Sequence, residues 1–356
     1  MPPHDLRAPT LSRRILHGLL LASALAITLG PTDVRAADDE APSIGETLVR
    51  EAADYGWRSW VRHRVYKPSD DERYGLQFDD NWQQCSADLP LVVIVHGFNS
   101  TPQKNDGVLA PLREAGFPCA GFAYPNDHTL RESAARLSRE LKALARRHPN
   151  RRIALVTHSM GGLVARACVE DPALDPGNVT RLIQIAPPNQ GTLLAHVAVA
   201  TDLWEHWVGR RGGAPWTRWR DSIVDGLGEA ADDLVPGSEF LATLNARPRN
   251  PDVQYAILLG TDASVSADEM DWIRDAVEVT GGRLPGLRSA SDRLNNLLLD
   301  MEELVDGKGD GVVAVKRGRL AGVADIEVLS FGHLSCTASD SADGPTVQQA
   351  ILARLR

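Results

Sequence analysis

Apolar residues in this chain gather in short unbroken runs, set between longer stretches where they recur every three or four positions. LPLVVIVH, Leu89 to His96, is β-branched and continuous, which predicts a strand buried on both faces. CAGFAY from Cys119, RIALVTH from Arg152 and VTRLIQIAP from Val179 read the same way. Between them, Leu130, Ala134, Leu137, Leu141 and Leu144 follow the spacing of an amphipathic helix, closed by His148 and Pro149. MGGLVARACVE, Met160 to Glu170, predicts a helix directly after the third run. YAILLG, Tyr255 to Gly260, and DIEVLSF, Asp325 to Phe331, add two strands, and PTVQQAILARLR a closing helix. Near the other end, Ser43 to Glu46 has the spacing of a capping box, with Ile44, Leu48, Ala52 and Tyr55 at helical intervals beyond it.

Strands that alternate with helices predict an α/β fold, a mostly parallel central sheet with helices on both faces. One stretch breaks the alternation. From about 192 to 245 the chain holds Trp204, Trp207, Trp216 and Trp219, half of its eight tryptophans, among Arg, Gly and Asp. This segment reads as a cap or lid insertion, and equally as helical packing around core tryptophans. With 356 residues and 43% apolar content the chain can bury a sizeable core.

Charge excludes one class of partner. The net charge is -9, and the Arg146, Arg147, Arg151 and Arg152 cluster reads as a solvated helix end, so nucleic acid is not expected. Residues 1–36 read as a signal peptide: Arg13 and Arg14, an apolar stretch from Ile15 to Leu29, then Val34-Arg35-Ala36 as a small-x-small ending. The apolar stretch falls short of the roughly 20 residues that span a bilayer. The expectation is a soluble, exported domain of residues 37–356, periplasmic or secreted. Ser12-Arg13-Arg14 partly matches a twin-arginine signal, which leaves the export route open. In an oxidising compartment the four cysteines, at 85, 119, 168 and 336, are candidates for disulfides, and the pair expected is Cys85 with Cys119. Their spacing lacks any CxxC, which argues against structural zinc.

The third strand run ends in Thr157-His158-Ser159-Met160-Gly161. A serine at a sharp turn between strand and helix projects its hydroxyl outward, and the turn needs small residues two positions to either side. Gly161 meets that need; Thr157 stands where the G-x-S-x-G pattern has glycine. The same serine also reads as a helix cap. As a nucleophile it needs a base, and the base needs an acid to orient it. The expected order is serine, acid, histidine, and His333 in SFGHLSC is the only histidine after His206. Two carboxylates compete as the acid: Asp310 in GKGDGVVAV, which is favoured, and Asp262 in GTDAS. Backbone donors for a developing oxyanion are expected from Phe98, after His96-Gly97, and from Met160 at the helix start. His96 is expected to support that loop.

VIVHGFNS, VTHSMGGLVAR, IAPPNQGT, VPGSEFLATLN and GDGVVAV followed by FGH together resemble the motifs of α/β-hydrolases of the bacterial lipase and esterase kind, including relatives of GPI inositol-deacylase. The resemblance covers most of residues 89 to 336. It implies a Ser159-His333-Asp310 triad, with the acid in a GDG loop 23 positions before the histidine. It also implies a carboxylic ester hydrolase acting on small-molecule or lipid esters through an acyl-enzyme, with transient contact to a lipid surface and no cofactor or metal required. Some lipases of this kind brace the histidine loop with calcium, and Asp340 and Asp343 lie near His333, although a solvated acidic loop is the favoured reading of that pair. An acyltransferase or thioesterase with the same triad, or a non-catalytic lipid-binding scaffold, are the competing functions.

Overall fold

A computed structural model of the chain describes residues 74–98, 100–125, 128–193, 228–263, 266–268, 270–271, 274–275, 302–338 and 343–356. The predicted leader, the Ser43 helix and the four tryptophans of the insertion lie outside these residues. The elements described here belong to one compact unit drawn from residues 70–199, 212–266 and 301–356.

Among the described residues, seven strands form a single sheet in the order β1-β3-β2-β4-β5-β6-β7. They are β1 (Gly75–Phe78), β2 (Leu91–Val95), β3 (Cys119–Ala123), β4 (Ile153–His158), β5 (Val179–Ile185), β6 (Gln254–Gly260) and β7 (Asp325–Leu329). All neighbouring pairs are parallel except β1 with β3. Parallel strands need crossovers, and helices supply them: α1 (Asp106–Glu114), α2 (Leu130–Arg147), α3 (Met160–Val169), α4 (Gly228–Leu234), α5 (Glu239–Ala246) and the single turn α6 (Val315–Gly318), while α7 (Gly344–Leu355) follows the last strand.

Period-two alternation divides the strand side chains between two cores. Leu91, Val93, Val95, Ile153 and Leu155 face α2, α3, α4 and α5, where Leu137, Leu141, Leu163, Leu234 and Leu244 meet them. Val92, Ile94, Ala154 and Val156 face the opposite way, toward Val108 and Leu112 of α1 and Val347 and Ile351 of α7. With both faces covered, β2, β3 and β4 are buried along their whole length, as a doubly covered parallel sheet requires, whereas β7 at the edge is partly exposed.

Helix α2 begins at a capping position: Thr129 Oγ1 accepts the Glu132 N–H at 3.2 Å. Helix α1 contains Pro111, which lacks the N–H that would bond the Gly107 carbonyl. Gln348 Nε2 of α7 donates to that carbonyl at 2.8 Å, so the last helix completes the first. Gly107 itself is required, because a Cβ there would fall 2.4 Å from the Thr337 carbonyl oxygen.

The Cys85–Cys119 disulfide expected above is not formed, and all four cysteines carry free thiols. Each of the two is turned to a local carbonyl, Cys119 Sγ to Phe117 O at 3.4 Å and Cys85 Sγ to Asn81 O at 3.6 Å. Among the described residues no helix is long and apolar enough to cross a membrane.

Candidate active site

The site lies at the carboxyl ends of the central strands, where such sheets place their ligands. Ser159 sits between β4 and α3 with φ 53° and ψ -127°, a positive φ that non-glycine residues rarely adopt. Strain of this kind costs about 1–3 kcal/mol and persists only where the surroundings enforce it. Here Ser159 N–H donates to Ile185 O at 2.8 Å, and Gly162 N–H donates to Ser159 O at 2.9 Å. The turn presses the start of α3 onto the end of β2: a Cβ on Gly161 would stand 2.3 Å from Val95 O. Only glycine fits.

On the other flank the threonine at 157 is accommodated. Its Oγ1 donates to Ile183 O on β5 at 3.3 Å, and its side chain is fully buried. The space comes partly from Gly162, whose Cβ would approach Thr157 Oγ1 to 3.3 Å and Gln184 Nε2 to 2.7 Å. The second glycine of HSMGG therefore compensates for the missing first glycine of the pattern.

His333 comes to this turn from the loop after β7. Its Nε2 lies 2.9 Å from Ser159 Oγ and its Nδ1 2.8 Å from Asp310 Oδ2. An ionised carboxylate only accepts, so Nδ1 carries the proton and Nε2 is left as the acceptor facing the serine hydroxyl. Asp310 is fixed in turn. Its Oδ1 accepts the N–H groups of Val312 at 2.9 Å and Val313 at 2.7 Å, which leaves Oδ2 to the imidazole. The His333 N–H also donates to Asp310 O at 2.9 Å, so backbone and side chain of the two residues are locked together. All three residues are at least nine-tenths buried. Asp262, the competing acid, is exposed, and its backbone N–H donates to Phe331 O at 3.2 Å. The structure brings Asp310, not Asp262, to the imidazole.

Met160 is the first residue of α3, where a helix leaves its N–H groups without intrahelical acceptors. The His96-Gly97-Phe98 loop passes beside the serine; a Cβ on Gly97 would fall 2.9 Å from Ser159 Cβ. Phe98, half-buried, follows directly. His96 is a support: its Nδ1–H donates to Gly97 O at 2.8 Å, and its ring stacks on Tyr124 at 4.4 Å. Tyr124, buried beneath it, donates its hydroxyl to His96 O at 2.7 Å. Burial pushes the His96 imidazole down to about 4, so it is neutral near pH 7.

Three further residues contribute: His158 and Arg166, to which the sequence reading gave no role, and Asp343, which it read as part of a solvated acidic loop. His158 Nε2 is 2.8 Å from the His333 carbonyl oxygen. Asp343 Oδ2 accepts the Gly332 N–H at 3.2 Å and the Ser335 hydroxyl, clasping the histidine loop on both sides. That carboxylate is thus engaged with the loop directly, while Asp340 lies outside the described residues. Among the described residues no cluster of three or more His, Cys, Asp or Glu side chains is arranged to hold a metal ion. The third is Arg166 of α3, fully buried, which donates to both oxygens of Glu170 and to the Oδ1 atoms of Asn189 and Asn245. It joins the PPNQGT stretch to α5, so those two motifs act as scaffold behind the serine.

A family model described as "Domain of unknown function (DUF7379)" matches residues 60–212. A comparison with curated proteins finds no match. Among solved structures, the mature form of the lipase BlEst2 from Bacillus licheniformis is similar with a TM-score of 0.53 and 18% identity, over 78% of this chain and 97% of that one. Its propeptide form gives the same TM-score and identity over 79% of this chain and 53% of that one. A Staphylococcus hyicus lipase is similar with a TM-score of 0.45 and 15% identity, over 75% and 96% of the two chains. At these identities the likeness is one of fold.

Proposed function

Because this chain has the α/β-hydrolase fold and holds Ser159, His333 and Asp310 in one hydrogen-bonded row, we propose that it is an exported serine hydrolase cleaving carboxylic esters, those of acyl lipids in particular. The observation that carries the reading is the imidazole poised between hydroxyl and carboxylate. A serine hydroxyl is a weak nucleophile near neutral pH, and a base within hydrogen-bond reach is what activates it. The likeness in fold to a protein described as a lipase supports esters as the substrate class. The signal-like leader of residues 1–36 supports export to the periplasm or the medium.

In this mechanism Ser159 Oγ attacks the ester carbonyl carbon as its proton passes to His333 Nε2. Asp310 stabilises the imidazolium through the Nδ1–H bond. The N–H groups of Phe98 and Met160 receive the oxyanion, each contributing about 3 kcal/mol to the transition state. Collapse breaks the ester C–O bond, and the leaving alcohol takes the proton from Nε2. Water, deprotonated by the same nitrogen, then attacks the acyl-serine carbonyl, releasing the carboxylic acid and restoring Ser159.

The test is an ester panel, from soluble short-chain to emulsified long-chain substrates, run on the wild-type protein and on Ser159→Ala. Hydrolysis by wild type and its loss in Ser159→Ala is the expected result. Equal rates in the two proteins would overturn the reading. A thioester and an added alcohol acceptor in the same panel separate ester hydrolysis from thioester hydrolysis and acyl transfer.

A further inference from the structure

We propose that His158, the residue before the nucleophile, is a positioning residue: it donates Nε2–H to the His333 carbonyl and keeps the base in register with Ser159 and the oxyanion loop. This rests on the triad reading above and adds to it a residue outside the triad.

The donor assignment follows from the partner. A carbonyl oxygen only accepts, so at 2.8 Å His158 Nε2 must carry the proton, and the neutral ring then has Nδ1 unprotonated. Burial holds the ring in that neutral form, pushing it down to about 3, with the nearby His333 acting in the same direction. The charged and titratable groups around it are His333, Asp310 and His96. The opposite edge of the ring faces the oxyanion loop: a Cβ on Gly97 would lie 3.1 Å from His158 Nδ1. One imidazole therefore spans the gap between the loop that presents Phe98 and the loop that presents His333. Its own backbone is fixed to that of Ser159.

Without this contact His333 is held less completely. Its N–H is bonded to Asp310 O, and its two ring nitrogens to Asp310 and Ser159. Among the described residues the carbonyl is otherwise approached by the Cys336 thiol alone, a weak donor, at 3.3 Å. The His158 bond therefore sets where the His333 peptide stands, and through it where the ring meets the serine. Reacting groups displaced by about 1 Å lose on the order of a hundredfold in rate.

Two amide substitutions separate the role from bulk and polarity. His158→Gln puts an N–H donor where Nε2 stands, whereas His158→Asn has the same chemistry but stops a bond short. The probe is a fluorophosphonate that labels the activated serine, with its maximal labelling rate and half-saturating concentration measured separately, beside thermal unfolding of each variant. The expected result is that His158→Gln labels within about threefold of wild type. His158→Asn should label about thirtyfold more slowly at saturation, its half-saturating concentration within about twofold, as a shift approaching 1 Å implies. Equal rates for the two amides would overturn the proposal. Should neither variant fold, nitrogen-15 NMR of the wild-type imidazoles decides: a proton on His158 Nε2 supports the proposal and one on Nδ1 overturns it. Labelling that survives Ser159→Ala would instead end the triad reading, a result distinguishable from either.

Discussion

His333 Nε2 lies 2.9 Å from Ser159 Oγ although the two residues are 174 positions apart. The contact depends on which ring nitrogen carries the proton, and Asp310 decides that. In Asp310→Asn the amide offers the imidazole a donor in place of an acceptor, which favours the proton on Nε2 and removes the base from the serine. The expected loss in kcat is about 10³–10⁴-fold with little change in stability. Steady-state kinetics beside thermal unfolding check this. A variant within tenfold of wild type would place the acid elsewhere.

Thr157 raises a natural experiment in reverse, since Thr157→Gly restores the small residue of the usual pattern. Glycine loses the hydroxyl bond to Ile183 O and leaves a buried gap on β4. The expected outcome is a loss of about 1–3 kcal/mol in stability with no gain in ester turnover. Gly161→Ala should be far worse, because its methyl meets the Val95 carbonyl at 2.3 Å and β2 cannot yield. Urea unfolding of both variants orders them.

Arg166 and Glu170 form a fully buried ion pair one helical turn apart. Among the described residues, Arg166→Leu leaves that carboxylate with Arg249 Nη1, at 3.0 Å, as its remaining ion-pair partner and takes a donor from the Asn189 and Asn245 carbonyls. The expected cost is about 3–5 kcal/mol. Arg166→Leu combined with Glu170→Leu should cost less than Arg166→Leu alone, since the uncompensated charge is gone. A double variant less stable than the single one would contradict this.

Acid should destabilise the fold through His96 and His158. Their folded values, about 4 and about 3, lie below the ordinary 6.5, so between those limits the unfolded chain binds protons that the folded one does not. Their contribution is present above pH 6.5 and is lost as pH falls, at about 1.4 kcal/mol per pH unit for each histidine. Unfolding free energies measured from pH 7 to pH 5 should fall steadily, and His158→Gln should make the decline shallower. A flat profile would mean that neither ring is buried neutral.

Much of the architecture was readable from patterning, because a sheet covered on both faces leaves apolar runs that nothing else explains. Strands β2 to β7 and helices α2, α3 and α7 follow the predicted runs closely. Strand β1 was not readable: it is four residues at an edge, half-exposed, with no alternation to betray it. Helix α1 carries Gly107 and Pro111, both breakers in isolation, and their tolerance depends on partners from distant elements. Helices α4 and α5 were absorbed into the tryptophan-rich segment. In the site, chain order pointed to Ser159 and His333, and the structure chose between Asp310 and Asp262. His158 hid inside an apolar run that already had a meaning as a strand, and Asp343 reads locally as loop.

The carbonyl that Pro111 leaves open on α1 is closed by Gln348, 241 positions later. On a ribosome the chain emerges from its amino end, so the part of that sheet face that α7 covers stays open until residue 348 and its helix have cleared the exit tunnel. Maturation of the molecule is thereby tied to translation finishing that stretch, and nascent chains arrested upstream of it should remain open to proteases and chaperones.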